Sequence, residues 1–86
     1  MTYEFHRILR RMAALLYPEK VDITGLAFLP DHLEAPNCWH LNVHWADGPS
    51  LRYSFNYDEP TFSKKDSMMA AYEAASACLR ELEEEA

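Results

Sequence analysis

The stretch CWHLNVHWADGPSLRYSFNY, residues 38–57, decides the fold. On either side of a central Asp-Gly-Pro turn, apolar and polar residues alternate, and successive side chains of a β-strand point to opposite faces of a sheet. The pattern therefore predicts a β-hairpin that turns at residues 47–49. Its apolar face consists of Trp39, Leu41, Val43, Trp45, Leu51, Tyr53, Phe55 and Tyr57. Its polar face consists of His40, Asn42, His44, Arg52, Ser54 and Asn56.

A short loop sets the predicted register of this hairpin. We expect Trp45 to lie opposite Leu51, which leaves only the turn residues and their neighbours unpaired. In this register the apolar residues face one another across the two strands, and such pairs stabilise a sheet by roughly 0.2–1 kcal/mol each. The remaining predicted pairs are Val43 with Tyr53, Leu41 with Phe55, and Trp39 with Tyr57.

Upstream of the hairpin, residues 3–17 have the spacing of an amphipathic helix, and Pro18 ends it because proline cannot continue the helical hydrogen bonds. Three arginines, Arg7, Arg10 and Arg11, lie opposite the apolar stripe. The stripe itself consists of Phe5, Ile8, Leu9, Met12, Leu15 and Leu16.

Residues 21–29 predict the first strand. Val21 and Ile23 are out of phase with Leu26 and Phe28, and we expect a bulge at Gly25 to bring all four onto one face. Without the bulge, the second pair would form an apolar patch beside the polar hairpin face. The following residues 30–37 contain two prolines and predict a loop.

A second helix follows the hairpin. Ser63-Lys64-Lys65-Asp66 resembles a capping box, so we expect the helix to begin there and to run to about residue 83. Its C-terminal end is acidic, which opposes the helix macrodipole. Either the last turn frays, or a basic group offsets the repulsion, and that group belongs to the first helix or to another protein. The predicted buried stripe consists of Met68, Ala71, Tyr72, Ala75, Cys78, Leu79 and Leu82.

The predicted order is helix, three-stranded antiparallel meander, helix. Because both helices carry one apolar stripe and the sheet carries one apolar face, residues 1–86 predict a single α+β domain built as a two-layer sandwich. The polar sheet face is then left open to water. A three-stranded sheet also has two edges, so a homodimer through an exposed edge or through helix 2 is a further expectation.

This order resembles that of the double-stranded RNA-binding domain. Ser63-Lys64-Lys65 followed by Ala70-Ala71 is similar to the motif that opens the second helix of that family, and Pro30-Asp31-His32 is similar to its loop between strands 1 and 2. Met68 stands where the family has a third lysine, and Leu29 where it has the loop glycine. The resemblance implies RNA binding through Lys64, Lys65 and His32, whereas fold alone does not determine function.

Composition and charge narrow the classes of function. The net charge of −6 divides into +2 over residues 1–20, −3 over 21–57 and −5 over 58–86, which disfavours a phosphate binder and favours a basic partner. Only two glycines are present, so there is no glycine-rich phosphate loop. No apolar run or signal-peptide pattern indicates a membrane or secreted protein, and we expect a cytoplasmic location with both cysteines reduced.

The polar sheet face is the first candidate surface. His40 and His44 are four residues apart on one strand, about 13 Å, which is too far for both to bind one metal ion. We expect no metal and no cofactor. Neither Cys38, which lacks a cationic neighbour, nor Cys78, on the buried stripe of helix 2, has the surroundings of a nucleophile.

The two helices provide the competing surfaces. Glu73, Glu81 and Glu84 belong to an acidic face of helix 2 that suits a basic protein, and the sequence does not decide between this face and the polar sheet face. We expect a small non-enzymatic interaction module, such as an inhibitor, immunity protein or antitoxin of phage or bacterial origin. The alternative is a nucleic-acid-binding module that uses Arg7, Arg10 and Arg11 together with Lys64 and Lys65.

Overall fold

A computed structural model describes residues 2–31, 37–57 and 67–86 of the chain. The elements are α1 (Thr2–Leu16), β1 (Ile23–Pro30), β2 (Cys38–Trp45), β3 (Leu51–Asn56) and α2 (Met68–Glu85). The strands form one antiparallel sheet in the order β1-β2-β3. The α+β class and the α-β-β-β-α order are therefore confirmed, and the likeness to the double-stranded RNA-binding domain remains weak.

The core lies between one face of the sheet and the two helices. Leu41 and Val43 of the central strand are fully buried, and Trp39 stacks on Phe28 with ring centroids 5.3 Å apart. This is the apolar face that the alternation predicts. The buried cluster consists of Leu9, Met12, Ala13, Phe28, Trp39, Leu41, Val43, Phe55, Ala71, Ala74, Ala75, Cys78 and Leu82.

The helices lie side by side and run in the same direction, because Glu4 interacts with Tyr72 near their starts and Arg11 lies 3.4 Å from Glu83 near their ends. Small side chains make the close approach of α2 possible. Ala74, Ala75 and Cys78 are all fully buried. Ala74 was absent from the predicted stripe of α2, and Met68, which was part of it, is 45% exposed.

The start of α2 also differs from the prediction. Ser67 has extended backbone angles and is the N-cap, since its hydroxyl accepts a hydrogen bond from the Ala70 N–H at 3.1 Å. The predicted capping box, residues 63–66, lies outside the described residues. At the other end the helix does not fray at residue 83, because it continues to Glu85.

The bulge in β1 is confirmed. Ile23 pairs with Trp45 and Gly25 with His44, so Thr24 is the extra residue on the β1 side. The bulge puts Ile23, Leu26 and Phe28 on the core face. Val21 is not part of this face: it precedes the strand, and it is 80% exposed.

The predicted hairpin register is wrong by two residues. Val43 pairs with Leu51, Leu41 with Tyr53 and Trp39 with Phe55. The loop is correspondingly longer than expected, and within it Gly48 has a φ of +100° beside the Trp45 side chain. A slip of two residues leaves every side chain on its predicted face, because the pleat has a period of two.

We predict that truncating a side chain on the core face of the sheet destabilises the fold far more than truncating one on the polar face. Leu41→Ala should lower the free energy of unfolding by about 2–5 kcal/mol, because it opens a cavity under both helices. Leu29→Ala is the matched control. Because Leu29 is 54% exposed, this substitution should lower the free energy of unfolding by less than about 0.5 kcal/mol. Urea unfolding followed by circular dichroism measures both. Equal losses would contradict the assignment of the faces.

Candidate partner-binding surfaces

The polar sheet face is present, but its side chains bond mostly to one another. His40 and Ser54 lie opposite each other in β2 and β3, and His40 Nδ1 is 3.0 Å from Ser54 Oγ. Asn42 and Arg52 are also opposite, and Arg52 Nε donates to Asn42 Oδ1 at 3.1 Å. The cross-strand geometry therefore uses much of the hydrogen-bonding capacity that a partner would need.

His40 has a second partner that the sequence did not identify. Its Nε2 lies 3.1 Å from Oδ2 of Asp31, which follows the end of β1. Asp31, His40 and Ser54 thus form one chain of hydrogen bonds across all three strands. The only available sequence signal was Asp31 itself, placed in a predicted loop, and a distance of nine residues did not indicate the contact.

An imidazole held between a carboxylate and a hydroxyl is also the set of groups that forms the catalytic triad of serine hydrolases. Here the three groups extend across the plane of an open sheet, and Ser54 is exposed. The carboxylate orients the ring, and the ring in turn fixes the serine hydroxyl. The direct consequence of these bonds is that they join β1, β2 and β3 on the side of the sheet away from the helices.

The other members of the predicted sheet surface are arranged differently. His44 is exposed, lies four residues along β2 from His40, and bonds to Ser50 in the hairpin loop. Asn56 is exposed at the end of β3, opposite Cys38. Within the described ranges, no group of three or more His, Cys, Asp or Glu side chains has the geometry to hold a metal ion.

The acidic residues of α2 fall into two groups. Glu73 accepts a hydrogen bond from the Tyr57 hydroxyl at 2.7 Å, so it connects α2 to the end of the sheet. Glu81 and Glu84 are exposed near the C-terminal end, together with Glu83 and Glu85, and the last turn contains no basic residue. Arg11 of α1 bonds to Glu83 at 3.4 Å, which offsets one of these charges.

Burial raises the pKa values of two side chains that lie beneath the acidic end of α2. Burial, assisted by the Glu81 and Glu85 carboxylates, raises the pKa of Cys78 from 9.0 to about 12. Burial is also the main cause of the raised pKa of Tyr53, to which Cys78 and the same two carboxylates contribute. Both groups are therefore held in their neutral forms, and Cys78 is not an activated thiol.

The arginines of α1 do not form an uninterrupted positive stripe. Arg7, Arg10 and Arg11 are exposed, but the depression that they line also contains two carboxylates. Lys64, Lys65 and His32, the other predicted contacts of the nucleic-acid alternative, lie outside the described residues. The depression is lined by Glu4, Arg7, Ile8, Arg10, Arg11, Leu79 and Glu83.

No protein-family model, curated protein or solved structure matches the chain. In the part of the chain that the structure describes, neither helix is long and apolar enough to cross a bilayer.

We predict that His40 stabilises the fold and that His44 does not. His40→Ala removes hydrogen bonds to both Asp31 and Ser54 and should cost roughly 1–2 kcal/mol of unfolding free energy. His44→Ala, on the same face but exposed, should change it by less than about 0.5 kcal/mol. Chemical denaturation at neutral pH gives the unfolding midpoint of each variant. Indistinguishable midpoints for His40→Ala and His44→Ala would refute the role of His40.

We also predict that Cys78 makes stability depend on alkaline pH. Its pKa is higher in the folded chain, so folding favours the protonated thiol. This contribution is complete below pH 9.0 and decreases as the pH rises toward about 12. In Cys78→Ala the free energy of unfolding should therefore decrease less steeply over this pH range. Some decrease should remain, because the tyrosines still titrate. Urea titrations at each pH measure the free energy of unfolding. If this free energy falls equally steeply with pH in the variant and in the original chain, the prediction is wrong.

Proposed function

We propose that this protein is a small acidic, non-enzymatic interaction module that binds a basic protein surface, as an inhibitor, immunity protein or antitoxin does. The observation that carries the proposal is the exposed acidic end of α2. Within residues 2–31, 37–57 and 67–86, Glu81, Glu84 and Glu85 are exposed and form no ion pair. A cation supplied by a partner would offset both their mutual repulsion and their repulsion by the helix dipole.

The acidic surface is favoured over the polar sheet face for a physical reason. His40, Asn42, Arg52 and Ser54 already bond within the sheet, so part of the hydrogen-bonding capacity of this face is used by the fold. Glu81, Glu84 and Glu85 form no ion pair among the described residues, so there a partner's cations would replace water alone. Long-range attraction between a net charge of −6 and a basic surface would also accelerate encounter and make it sensitive to salt.

A titration with poly-lysine tests the acidic surface. We expect binding at low ionic strength that disappears at about 0.3 M salt, where charges are screened over a few ångströms. The triple variant Glu81→Gln, Glu84→Gln, Glu85→Gln should bind roughly tenfold more weakly, which is about 1.4 kcal/mol. Calorimetry or fluorescence of the two tryptophans gives the affinity.

The matched control removes the same number of charges elsewhere. Glu19, Asp22 and Asp47 are exposed and lie outside α2, around Trp45, and the control variant is Glu19→Gln, Asp22→Asn, Asp47→Asn. This variant should bind poly-lysine nearly as well as the original chain. An equal loss in both variants would mean that net charge alone, and not the end of α2, determines binding. Labelling of Ser54 by a fluorophosphonate would overturn the non-enzymatic part of the proposal.

The second candidate function is nucleic-acid binding through α1. Its support is that Arg7 and Arg10 are exposed and make no ion pair among the described residues. A titration with duplex RNA at low salt distinguishes the two candidates. Binding that is lost in Arg7→Gln, Arg10→Gln and retained in the α2 triple variant would favour this alternative.

A further inference from the structure

The two edges of the sheet are not equivalent, and their backbone groups can be assigned from two hydrogen bonds. The Tyr57 N–H donates to the Asn37 carbonyl at 2.8 Å, just beyond the paired part of β2 and β3. In an antiparallel ladder, residues alternate between pointing both backbone groups at the neighbour and pointing both away. With the observed register, Leu51, Tyr53 and Phe55 point toward β2.

It follows that the N–H and C=O groups of Arg52, Ser54 and Asn56 point outward from β3. No proline occurs in this strand, and the register of β2 with β3 is continuous. β3 is the last strand of the sheet, so none of the described strands pairs with these groups. They form a regular template for one more strand.

The opposite edge lacks this regularity. The Asp31 N–H donates to the Cys38 carbonyl at 2.9 Å, which places the outward backbone groups of β1 at Leu26, Phe28 and Pro30. Pro30 has no N–H, and the bulge before Gly25 interrupts the ladder. A proline and a bulge are the usual means by which proteins protect an edge. β1 has both, and β3 has neither.

The surroundings of the β3 edge indicate the chemistry of its occupant. A depression of about 360 Å³ lies between β3 and α2, and Glu81, Glu84 and Arg80 are among its lining residues. On the other side of the sheet, the same edge presents Arg52, Ser54 and Asn56. The side chains of an added strand alternate between these two environments.

We propose that β3 accepts an extended segment of a partner protein as a fourth, antiparallel strand, with lysine or arginine at every second position facing Glu81 and Glu84. This inference rests on the proposed function and specifies how the basic partner is held. The backbone hydrogen bonds hold the segment, and the alternating charges select it. A second copy is disfavoured as the occupant, because each copy would bring the same acidic side of α2, with Glu81 and Glu84, to the joint between the two β3 strands.

A peptide of alternating lysine and threonine, seven residues long, tests the inference. If its lysines face α2, the threonines supply the N–H groups that bond to β3, because directly opposite residues share a face. The control peptide has proline in place of each threonine, so it keeps the charge and loses those donors. ¹⁵N NMR with amide hydrogen exchange follows each residue of the protein.

We expect the lysine-threonine peptide to slow exchange of the Arg52, Ser54 and Asn56 amides at least tenfold at saturation. The lysine-proline peptide should not, and Glu81→Gln with Glu84→Gln should weaken binding of the first peptide several-fold. Equal binding of both peptides without this protection would overturn the strand addition and leave the basic-surface proposal intact. Binding of neither peptide at low salt, with no response to poly-lysine, would overturn both. Protection of the same amides in concentrated protein without peptide would assign the edge to a second copy and overturn the inference.

Discussion

The structure depends on the one-sided burial of β2. This strand pairs with both of its neighbours, and its core face is covered by the two helices, so Leu41 and Val43 are completely removed from water. Everything else is arranged to keep that face covered: α1 contributes Leu9 and Met12, and α2 approaches through alanines. The opposite face gains nothing from burial and can carry polar side chains. The separation of core and surface within one strand follows from the two-residue pleat.

The periodic features of this fold could be predicted from the sequence, and its non-local features could not. Alternation is a local property, so it assigned the hairpin faces correctly and favoured the bulge near Gly25. Register is different, because a slip of two residues preserves both faces, and the loop around Gly48 decides between the alternatives. Helix caps present a similar ambiguity. Ser63 and Ser67 are both suitable residues for an N-cap, and the structure uses Ser67 for α2.

For the candidate surfaces, too, some features could be predicted from the sequence and others could not. The residues of the polar sheet face were predicted together and lie together, since one strand and its partner define them. Their mutual bonding was not predictable, because it requires the true register and, for His40, the position of Asp31 beyond the end of β1. The interruption of the α1 arginines by Glu83 likewise depends on how the helices are aligned. The pattern of the sequence identifies a surface, whereas tertiary contacts determine which of its groups remain available to a partner.

Among the described residues, a single ion pair, Arg11 with Glu83, offsets the energetic cost of the acidic end of α2. Its carboxylates oppose the helix dipole, and Glu81 and Glu85 also help to hold Cys78 and Tyr53 in their neutral forms. Arg11 offsets Glu83 alone, through an exposed pair that contributes little. A ligand that binds only the folded state stabilises it, and here a bound cation would also reduce repulsion already present in that state. Affinity for the proposed basic partner and stability of the free chain would therefore be opposed at this end of α2. The same charges that would attract the partner weaken the helix that presents them.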